Sequence, residues 1–238
     1  MKTQQSYAIF ARYYDAVMGN RKADIARVKS WITHRAPKAK TLVELGCGTG
    51  AVLKGFSKRY LVTGVDLSKA MLSVAQQRLP TATLKRADMS RYRSVAKVDI
   101  VLCLFDTINH LVSFKDWSRL FENVASMLSP KGIFIFDINT IERLESLSTW
   151  GPMASYFSKD DIVLMRVNKT KKNRFSWDIR IFEQSRPSRY TSHREIIEEA
   201  SFPIDRIVSE LTRRFSRVEL LNANGKDAHG RVFFICHR

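Results

Sequence analysis

The residues best suited to chemistry lie in the segment 43–50, which reads Val-Glu-Leu-Gly-Cys-Gly-Thr-Gly. An apolar run ends at the carboxylate of Glu44, and three alternating glycines then lead into a helical pattern from Ala51. Glycine lets a backbone pass close to a ligand and adopt positive φ, and a helix N-terminus offers free N–H groups. A second apolar run ends at Asp66, where a carboxylate suits a ribose diol. The segment therefore predicts a loop that holds a ribose-bearing ligand.

Three kinds of ligand could occupy such a loop. A triphosphate loop needs a lysine after the last glycine, and none follows Gly50. In the dinucleotide fingerprint the third glycine comes one residue later than it does here. The order Glu-Leu-Gly-x-Gly-x-Gly resembles motif I of the class I S-adenosylmethionine-dependent methyltransferases. A ligand that carries an ammonium and a sulfonium would also explain carboxylates beside the loop.

Strand and helix patterns alternate along the first 140 residues. Five short apolar runs bounded by turn residues predict strands buried on both faces of a parallel sheet: Leu42–Leu45, Leu61–Val65, Thr83–Asp88, Asp99–Phe105 and Gly132–Asp137. Between them, Ser68 is placed to cap a helix over Lys69–Leu79, and apolar spacing predicts another over Asp116–Leu128. This alternation predicts a doubly wound, Rossmann-like α/β fold.

The pattern changes after the fifth predicted strand. Ile162–Val167 and Phe175–Phe182 alternate apolar and polar residues, which predicts an antiparallel hairpin. A helical pattern is expected near Glu195 and again over Pro203–Phe215. The last predicted strands, Val218–Leu221 and Val232–Cys236, are joined through residues 222–227. The layout predicts one domain over residues 1–238 with an antiparallel β insert at residues 141–193.

The resemblance to class I methyltransferases covers about residues 40–138 and implies roles for residues along one edge of the sheet. It implies a seven-stranded, mostly parallel sheet whose last strand is antiparallel. It places Glu44, Gly46, Cys47 and Gly48 around the amino-acid part of S-adenosylmethionine. The remaining cofactor residues would hold ribose and adenine or end the fourth strand: Asp66, Leu67, Asp88, Met89 and Phe105.

A finer resemblance extends over nearly the whole chain. Tyr13-Tyr14-Asp15, the segment 105–110 and the segment 134–139 resemble a bacterial and archaeal branch that includes small-molecule N-methyltransferases acting on amino sugars. The branch implies that the insert caps the acceptor substrate. Tyr14 could then fold over the cofactor, although a plain core aromatic is an equally open interpretation.

The acceptor side of the site offers three candidates for a catalytic role. Asp106 could hold the substrate or simply cap the next helix, and His110 could act as a base or pack. His193, at the end of the insert, is the preferred candidate for the substrate side, with a surface histidine before a helix as the alternative. Methyl transfer mainly requires alignment at about 3–3.5 Å, and a base is needed only if the nucleophile arrives protonated.

Composition narrows the class of protein. The net charge of +17 suggests an anionic partner, so weak binding of RNA or an acidic substrate is expected beside a small-molecule acceptor. No apolar run approaches the ~20 residues that span a bilayer, no zinc-like Cys/His spacing occurs, and three cysteines predict reduced thiols in a cytoplasm. We expect a monomer or homodimer that methylates a nitrogen or oxygen of a small molecule. The alternatives are an RNA methyltransferase and a non-catalytic, cofactor-binding partner protein.

Overall fold

The computed structural model describes residues 7–157, 160–222 and 230–238. The helices, after a short 3-10 turn at Phe10–Arg12, are α1 (Tyr14–Met18), α2 (Lys22–Arg35), α3 (Ala51–Phe56), α4 (Lys69–Arg78), α5 (Phe114–Met127), α6 (Ile141–Ser148) and α7 (Ile204–Thr212). The first strands are β1 (Thr41–Leu45), β2 (Leu61–Asp66), β3 (Thr83–Arg86), β4 (Val98–Cys103) and β5 (Leu128–Asn139). The later strands are β6 (Met153–Tyr156), β7 (Ile162–Lys171), β8 (Arg174–Arg186), β9 (Arg189–Ala200), β10 (Arg217–Asn222) and β11 (Arg231–His237).

Seven strands form the main sheet in the order β10-β11-β5-β4-β1-β2-β3. The pairs β1/β2, β2/β3, β1/β4 and β4/β5 are parallel, whereas β11 is antiparallel to both β5 and β10. The prediction of a mostly parallel, seven-stranded sheet with an antiparallel last strand is therefore confirmed. Because β1, β2, β4 and β5 run in one direction, their carboxyl ends meet at one edge of the sheet, where open α/β folds bind ligands.

Alternate side chains of the central strands enter two apolar layers. On one face of β4, Val101 and Cys103 pack with α5 and α7; on the other, Ile100 and Leu102 pack with α2 and α3. This double burial explains why the strands read as continuous apolar runs rather than alternating ones. The predicted helix cap is also confirmed, since Ser68 Oγ accepts the Met71 N–H at 3.3 Å.

A second, antiparallel sheet of order β6-β7-β8-β9 follows α6. The predicted hairpin is present as β7 and β8, but the helix expected near Glu195 is wrong, because β9 continues as a strand to Ala200. The run Glu-Ile-Ile-Glu-Glu-Ala fits both the 3.6-residue period of a helix and the two-residue period of a strand. The strand forms because pairing with β8 along its length satisfies the backbone hydrogen-bonding groups of this run. The sheet thus extends beyond the predicted boundary at residue 193.

The segment Tyr7–Met18, here called the N-terminal segment, packs between the two sheets. Phe10 and Tyr13 join the apolar inner face of the second sheet beside Ile179. The carboxylate Oε1 of Glu195 accepts the backbone N–H groups of Ile9 at 2.6 Å and Phe10 at 3.2 Å. Strand β9 therefore fixes the position of this segment over the main sheet.

Two further points of the sequence analysis concern the connection between the last two strands and membrane-spanning helices. The connection predicted through residues 222–227 lies, after Asn222, outside the described residues. Within the described segments, no helix is both long and apolar enough to cross a bilayer.

Glu219 ties α2 to the outer strands of the main sheet, which predicts an acid-sensitive contact. Arg35 binds it through two hydrogen bonds of 3.1 and 2.7 Å, and His237 Nε2 lies 2.7 Å from Oε1. Hydrogen bonds from Arg35 lower the pKa of Glu219 from 4.5 to about 2. A depressed folded-state pKa contributes stability that is complete above the unfolded-state value and is lost as the pH falls through the folded one.

We therefore expect Glu219→Gln to lower the free energy of unfolding at pH 7, and we expect this deficit to shrink between pH 4.5 and pH 2. Urea unfolding at several pH values measures it, with Glu122→Gln on the exposed face of α5 as the matched control. If the deficit stays constant across this pH range, the ionised form of Glu219 does not contribute to the free energy of unfolding.

Candidate functional site

The glycine loop lies between β1 and α3 in a conformation that only glycine adopts easily. Gly46, Gly48 and Gly50 have φ of 67°, 52° and 72°. A Cβ at Gly46 would lie 2.1 Å from Thr107 Cγ2, so the loop and the segment after β4 are in close contact there. Gly48 has nothing within 4 Å of such an atom, which leaves its backbone open to a ligand.

Asp66 is fixed against this loop by backbone donors. Its Oδ2 accepts the Gly48 N–H at 2.8 Å, and its Oδ1 accepts the Ser68 N–H at 2.8 Å. Burial raises the pKa of Asp66, while these hydrogen bonds oppose the rise. Each carboxylate oxygen can accept a second hydrogen bond, so Asp66 can still bind a pair of hydroxyls. Leu67, the next residue, is 40% exposed beside it.

Glu44 lies beneath the loop and has an incomplete set of partners. Its side chain is buried, and burial raises its pKa to about 8, with Arg21 opposing and Asp66 adding to the shift. Among the described residues its Oε2 has no hydrogen-bond partner. A buried acceptor of this kind suits a cationic group placed against the loop.

The remaining predicted cofactor residues lie along the same edge. Asp88, after β3, accepts hydrogen bonds at Oδ1 from the backbone N–H and the hydroxyl of Ser90, both at 2.8 Å. Met89 packs against the apolar core. Phe105, after β4, has the guanidinium carbons of Arg21 and Arg231 at 4.4 and 4.7 Å from its ring centroid.

A buried carboxylate holds the end of β4 in a strained conformation. Phe105 and Asp106 have φ of 60° and 51°, which side-chain-bearing residues rarely adopt. Asp137 of β5 accepts their backbone N–H groups at 2.7 and 3.0 Å, and Arg231 Nε donates to it at 2.7 Å. Arg231 also donates to Asp24 at 2.9 Å. The backbone turn that aims Asp106 inward therefore depends on Asp137.

Behind the turn, ionisable side chains from three elements come together. Burial raises the pKa of Asp106 to about 7, and burial together with the charge of Asp106 raises the pKa of Glu199 on β9 well above its usual range. His110 Nδ1 lies 3.7 Å from Glu199 Oε1, and its Nε2 lies 3.2 Å from the Tyr7 hydroxyl. Burial lowers the pKa of His110 to about 4, so it is neutral at pH 7. This arrangement, the interior cluster, consists of Tyr7, Asp106, His110 and Glu199.

His193 lies elsewhere on β9. Its Nε2 is 3.0 Å from Glu183 Oε2, and the Tyr13 hydroxyl donates to Glu183 Oε1 at 2.8 Å. Glu199 is six residue steps along the strand from His193, which is roughly 20 Å. The structure thus brings Asp106 and His110 together and places His193 in a contact between β9 and the N-terminal segment.

The N-terminal segment also contacts the glycine loop, through Asp15. Its Oδ1 accepts the Thr49 hydroxyl at 2.7 Å, and its Oδ2 pairs with Arg78 Nη2 at 2.6 Å. Tyr14 lies beside Arg21, whose guanidinium carbon is 4.9 Å from the tyrosine ring centroid. The segment is therefore joined to the loop and, through Arg78, to helix α4.

Sequence reasoning missed Glu199, Arg21 and Asp137. Glu199 was hidden because the pattern around it suggested a helix, whereas a strand of period two would have placed it on the face that carries Glu195. Asp137 ends the fifth predicted strand and was visible as an acid inside an apolar run. Arg21 precedes α2 in a basic stretch whose sequence did not indicate a binding role.

A separate cleft of about 560 Å³ lies between α5 and α7. Its lining includes Lys115, Arg206, Arg213 and Arg214, with Glu210 as its carboxylate. Glu210 pairs with Arg213 and Arg214, whereas Arg206 stacks 3.9 Å from the centroid of the Phe114 ring. This surface could attract an anionic molecule.

Comparison with known proteins finds a family match over part of the chain. Residues 42–132 match a family described as methyltransferase domain. A protein of Geobacillus sp. (strain WCH70) that is named as a methyltransferase is 23% identical over 246 residues, covering 98% of this chain and 100% of that protein. The dTDP-3-amino-3,4,6-trideoxy-alpha-D-glucopyranose N,N-dimethyltransferase of Streptomyces venezuelae is 31% identical over 116 residues, covering 48% of this chain and 49% of the relative. The chain thus matches about half the length of that curated relative.

A solved structure shares the fold over almost the whole chain. CalS10, an amino pentose methyltransferase from Micromonospora echinaspora solved with S-adenosylmethionine bound, has a TM-score of 0.80. It is 22% identical in sequence, and the superposition covers 97% of this chain and 96% of that one. The insert sheet and the main sheet both fall within this likeness.

Replacing Asp137 by asparagine should destabilise the protein strongly, because it removes the fully buried carboxylate that pairs with the largely buried Arg231 at the shortest distance. Breaking a buried ion pair typically costs about 3–5 kcal/mol. Chemical denaturation measures the loss, and Asp116→Asn is the matched control, since its pair with Arg119 is partly exposed and such pairs contribute about 0–1 kcal/mol. Equal effects of the two substitutions would contradict the central position given to Asp137.

Proposed function

We propose that this chain, whose residues 42–132 form a methyltransferase domain, uses S-adenosylmethionine to methylate a small molecule, preferentially at nitrogen. The domain match supports the predicted kind of enzyme at the level of a methyltransferase. The observation that carries the proposal is the meeting of the glycine loop, Asp66 and the carboxyl group of Asp106 at one edge of the sheet.

The residues present fit the cofactor. Asp66 would accept from the ribose hydroxyls, with Leu67, Asp88 and Met89 toward adenine. The loop at Gly46 and Gly48, together with Cys47, would pass the amino-acid portion, and Glu44 would face its ammonium.

Arg21 supplies a partner for the cofactor's carboxylate. Its Nη2 is buried and has no hydrogen-bond partner within the described ranges, so it can donate there. When bound, the cofactor supplies a methyl group on a sulfonium, whose positive charge already activates the leaving group. The protein's own task is then to align the acceptor and exclude water.

The acceptor would lie beside Asp106, where the end of β4, the N-terminal segment and the second sheet come together. Interior carboxyl groups attract a cation, which favours an amine over a neutral hydroxyl compound. The N,N-dimethyltransferase of Streptomyces venezuelae and CalS10 carry names that refer to amino sugars, and this supports a sugar-like amine as the acceptor class. His110, neutral and tied to Tyr7, would shape the pocket, and His193 would brace its rim.

The net charge of +17 and the cleft between α5 and α7 favour one alternative, methylation of RNA. The cleft is open and lies along the helical face that α5 and α7 present, whereas the carboxyl groups occupy the enclosed acceptor side. Anionic phosphates would be repelled by such carboxyl groups. Small amines therefore remain the preferred acceptors, with RNA as a weak, non-specific ligand.

Cofactor binding tests the first half of the proposal. Calorimetry should detect S-adenosylhomocysteine binding and no NAD binding. Asp66→Ala should weaken the former by roughly 1–3 kcal/mol, since it removes hydrogen bonds to a charged acceptor. Asp205→Ala, exposed in the first turn of α7, is the control. Equal affinity in wild type and the Asp66 variant would exclude Asp66 from the ribose site.

Acceptor choice tests the second half. With labelled S-adenosylmethionine, we expect methyl incorporation into a panel of aminated sugars and none into bulk RNA. Binding to RNA should be weak at physiological salt, with each neutralised phosphate contributing about −0.7 to −0.9 to the log–log salt slope.

A triple variant with Lys115, Arg206 and Arg213 changed to glutamine should flatten that slope without changing methyl transfer to the sugars. Tight RNA binding accompanied by methylated RNA would overturn the small-molecule acceptor.

A further inference from the structure

The cleft between α5 and α7 concentrates positive charge on the face of the main sheet opposite α2 and α3. Asp116 and Asp205, which also belong to α5 and α7, are outside its described lining, and Asp116 pairs with Arg119 instead. Among the described residues, Glu210 is the one carboxylate that lines the cleft, and four cations accompany it: Lys115, Arg206, Arg213 and Arg214. These residues leave an excess of three positive charges.

The floor of the cleft is a hydrogen-bonded network that joins the two helices. Glu210 is buried, and it pairs with Arg214 at 2.8 Å and with Arg213 at 3.2 Å. The Ser118 hydroxyl of α5 donates to Glu210 and accepts from Arg214 at 3.2 Å. Arg213 uses Nη1 for its pair, and its side chain is 71% exposed. Its other N–H groups are therefore accessible to a ligand.

Arg206, at the other end of the cleft, is held by aromatic rings and not by an acid. Its guanidinium carbon is 3.9 Å from the ring centroid of Phe114 and 5.8 Å from that of Phe202. Within the described segments, neither Arg206 nor Lys115 forms an ion pair. A stacked guanidinium keeps the N–H groups on its edge free, and their fork matches the two oxygens of a carboxylate. The stack thus prepares a site for one anionic group.

The two ends of the cleft are too far apart to share a single anionic group. Arg213 follows the last residue of α7 in a helical conformation, so seven helical steps separate it from Arg206, or about 10.5 Å. In a polyproline II chain, positions three apart share one face and lie about 9 Å apart. An acidic segment of this kind can place one carboxylate at each end. Ser209, exposed between the two arginines, offers a hydroxyl to its backbone.

Nucleic acid fits the same cleft less well. Proteins that bind single strands tightly do so where bases stack on aromatic side chains. Phe114 is the one aromatic residue in the described lining, and Arg206 covers its ring. RNA would therefore contact the cleft through its phosphates alone, which agrees with weak, non-specific binding.

We propose that the cleft between α5 and α7 is a docking site for an acidic segment of a partner protein. One carboxylate of the segment would bind Arg206 and Lys115, and another would bind Arg213. These contacts are exposed, so the complex forms fast and weakens with salt. The proposal does not rest on the proposed function, because the cleft contains none of the residues assigned to the cofactor or the acceptor.

Fluorescence anisotropy with a labelled synthetic peptide tests the site. The probe consists of Glu-Pro-Ser repeats, and Gln-Pro-Ser repeats are its neutral counterpart. Changing Lys115, Arg206 and Arg213 together to glutamine should weaken binding of the acidic probe roughly 100-fold at low salt, because each exposed ion pair contributes up to about fivefold. The neutral probe should not bind the wild-type protein.

A matched control separates this site from the general attraction of a basic protein. Changing Lys38, Lys58 and Lys172 to glutamine lowers the net charge by the same amount, and these exposed lysines lie in turns elsewhere on the surface. The control should lose less affinity than the removal of one ion pair from the cleft. Equal losses in the two triple variants would show attraction by net charge alone and would overturn the proposal.

Arg206→Lys gives a second, milder test. It keeps the charge but removes the fork and its stack on Phe114, so affinity for the acidic probe should fall about fivefold. Wild-type affinity in this variant contradicts the proposal, even if the triple variant fails to fold. Tighter binding of an oligouridine probe than of the peptide, lost in the same variants, would assign the cleft to nucleic acid and overturn a protein partner. Circular dichroism and S-adenosylhomocysteine binding, both expected to be unchanged, report on the fold of each variant.

Discussion

The buried contact between Asp137 and the backbone after β4 is the constraint on which the site depends. Two consecutive residues with side chains, Phe105 and Asp106, are held at positive φ, a conformation that costs of order 1–3 kcal/mol per residue. The Asp137 carboxylate offsets this cost by accepting both N–H groups, and Arg231 neutralises its charge. Without this contact the chain would leave β4 in an ordinary turn, and Asp106 would no longer point toward the interior.

The sequence was most informative where one physical rule acted alone. Continuous apolar runs predicted the buried strands, and the spacing of Gly46, Gly48 and Asp66 predicted that the glycine loop and this acid meet at one edge of the sheet, as the hydrogen bond from the Gly48 N–H to Asp66 shows. Both features are local in the chain. The antiparallel last strand came from resemblance to a family and not from the pattern, since nothing in residues 231–237 states a direction.

The proposed acceptor side could not be predicted as well, because its electrostatics arise from residues distant in sequence. Asp106 and Glu199 lie far apart in the chain, and Arg21 and Arg231 lie near its two ends. Whether an acid is ionised depends on which cations the fold places beside it. The helical interpretation near Glu195 removed the alternation that would have placed Glu199 on the inner face. One error of period therefore hid a carboxyl group that is buried and close to His110.

The N-terminal segment is joined both to the glycine loop and to the second sheet. Asp15 binds it to the glycine loop through Thr49 and Arg78, and Glu195 binds it to the second sheet through the backbone of Ile9 and Phe10. A shift of the second sheet relative to the glycine loop would therefore have to move this segment as well. We expect this doubly attached segment to limit the size of the acceptor. Asp15 and Glu195 would then influence acceptor size without contacting the acceptor themselves.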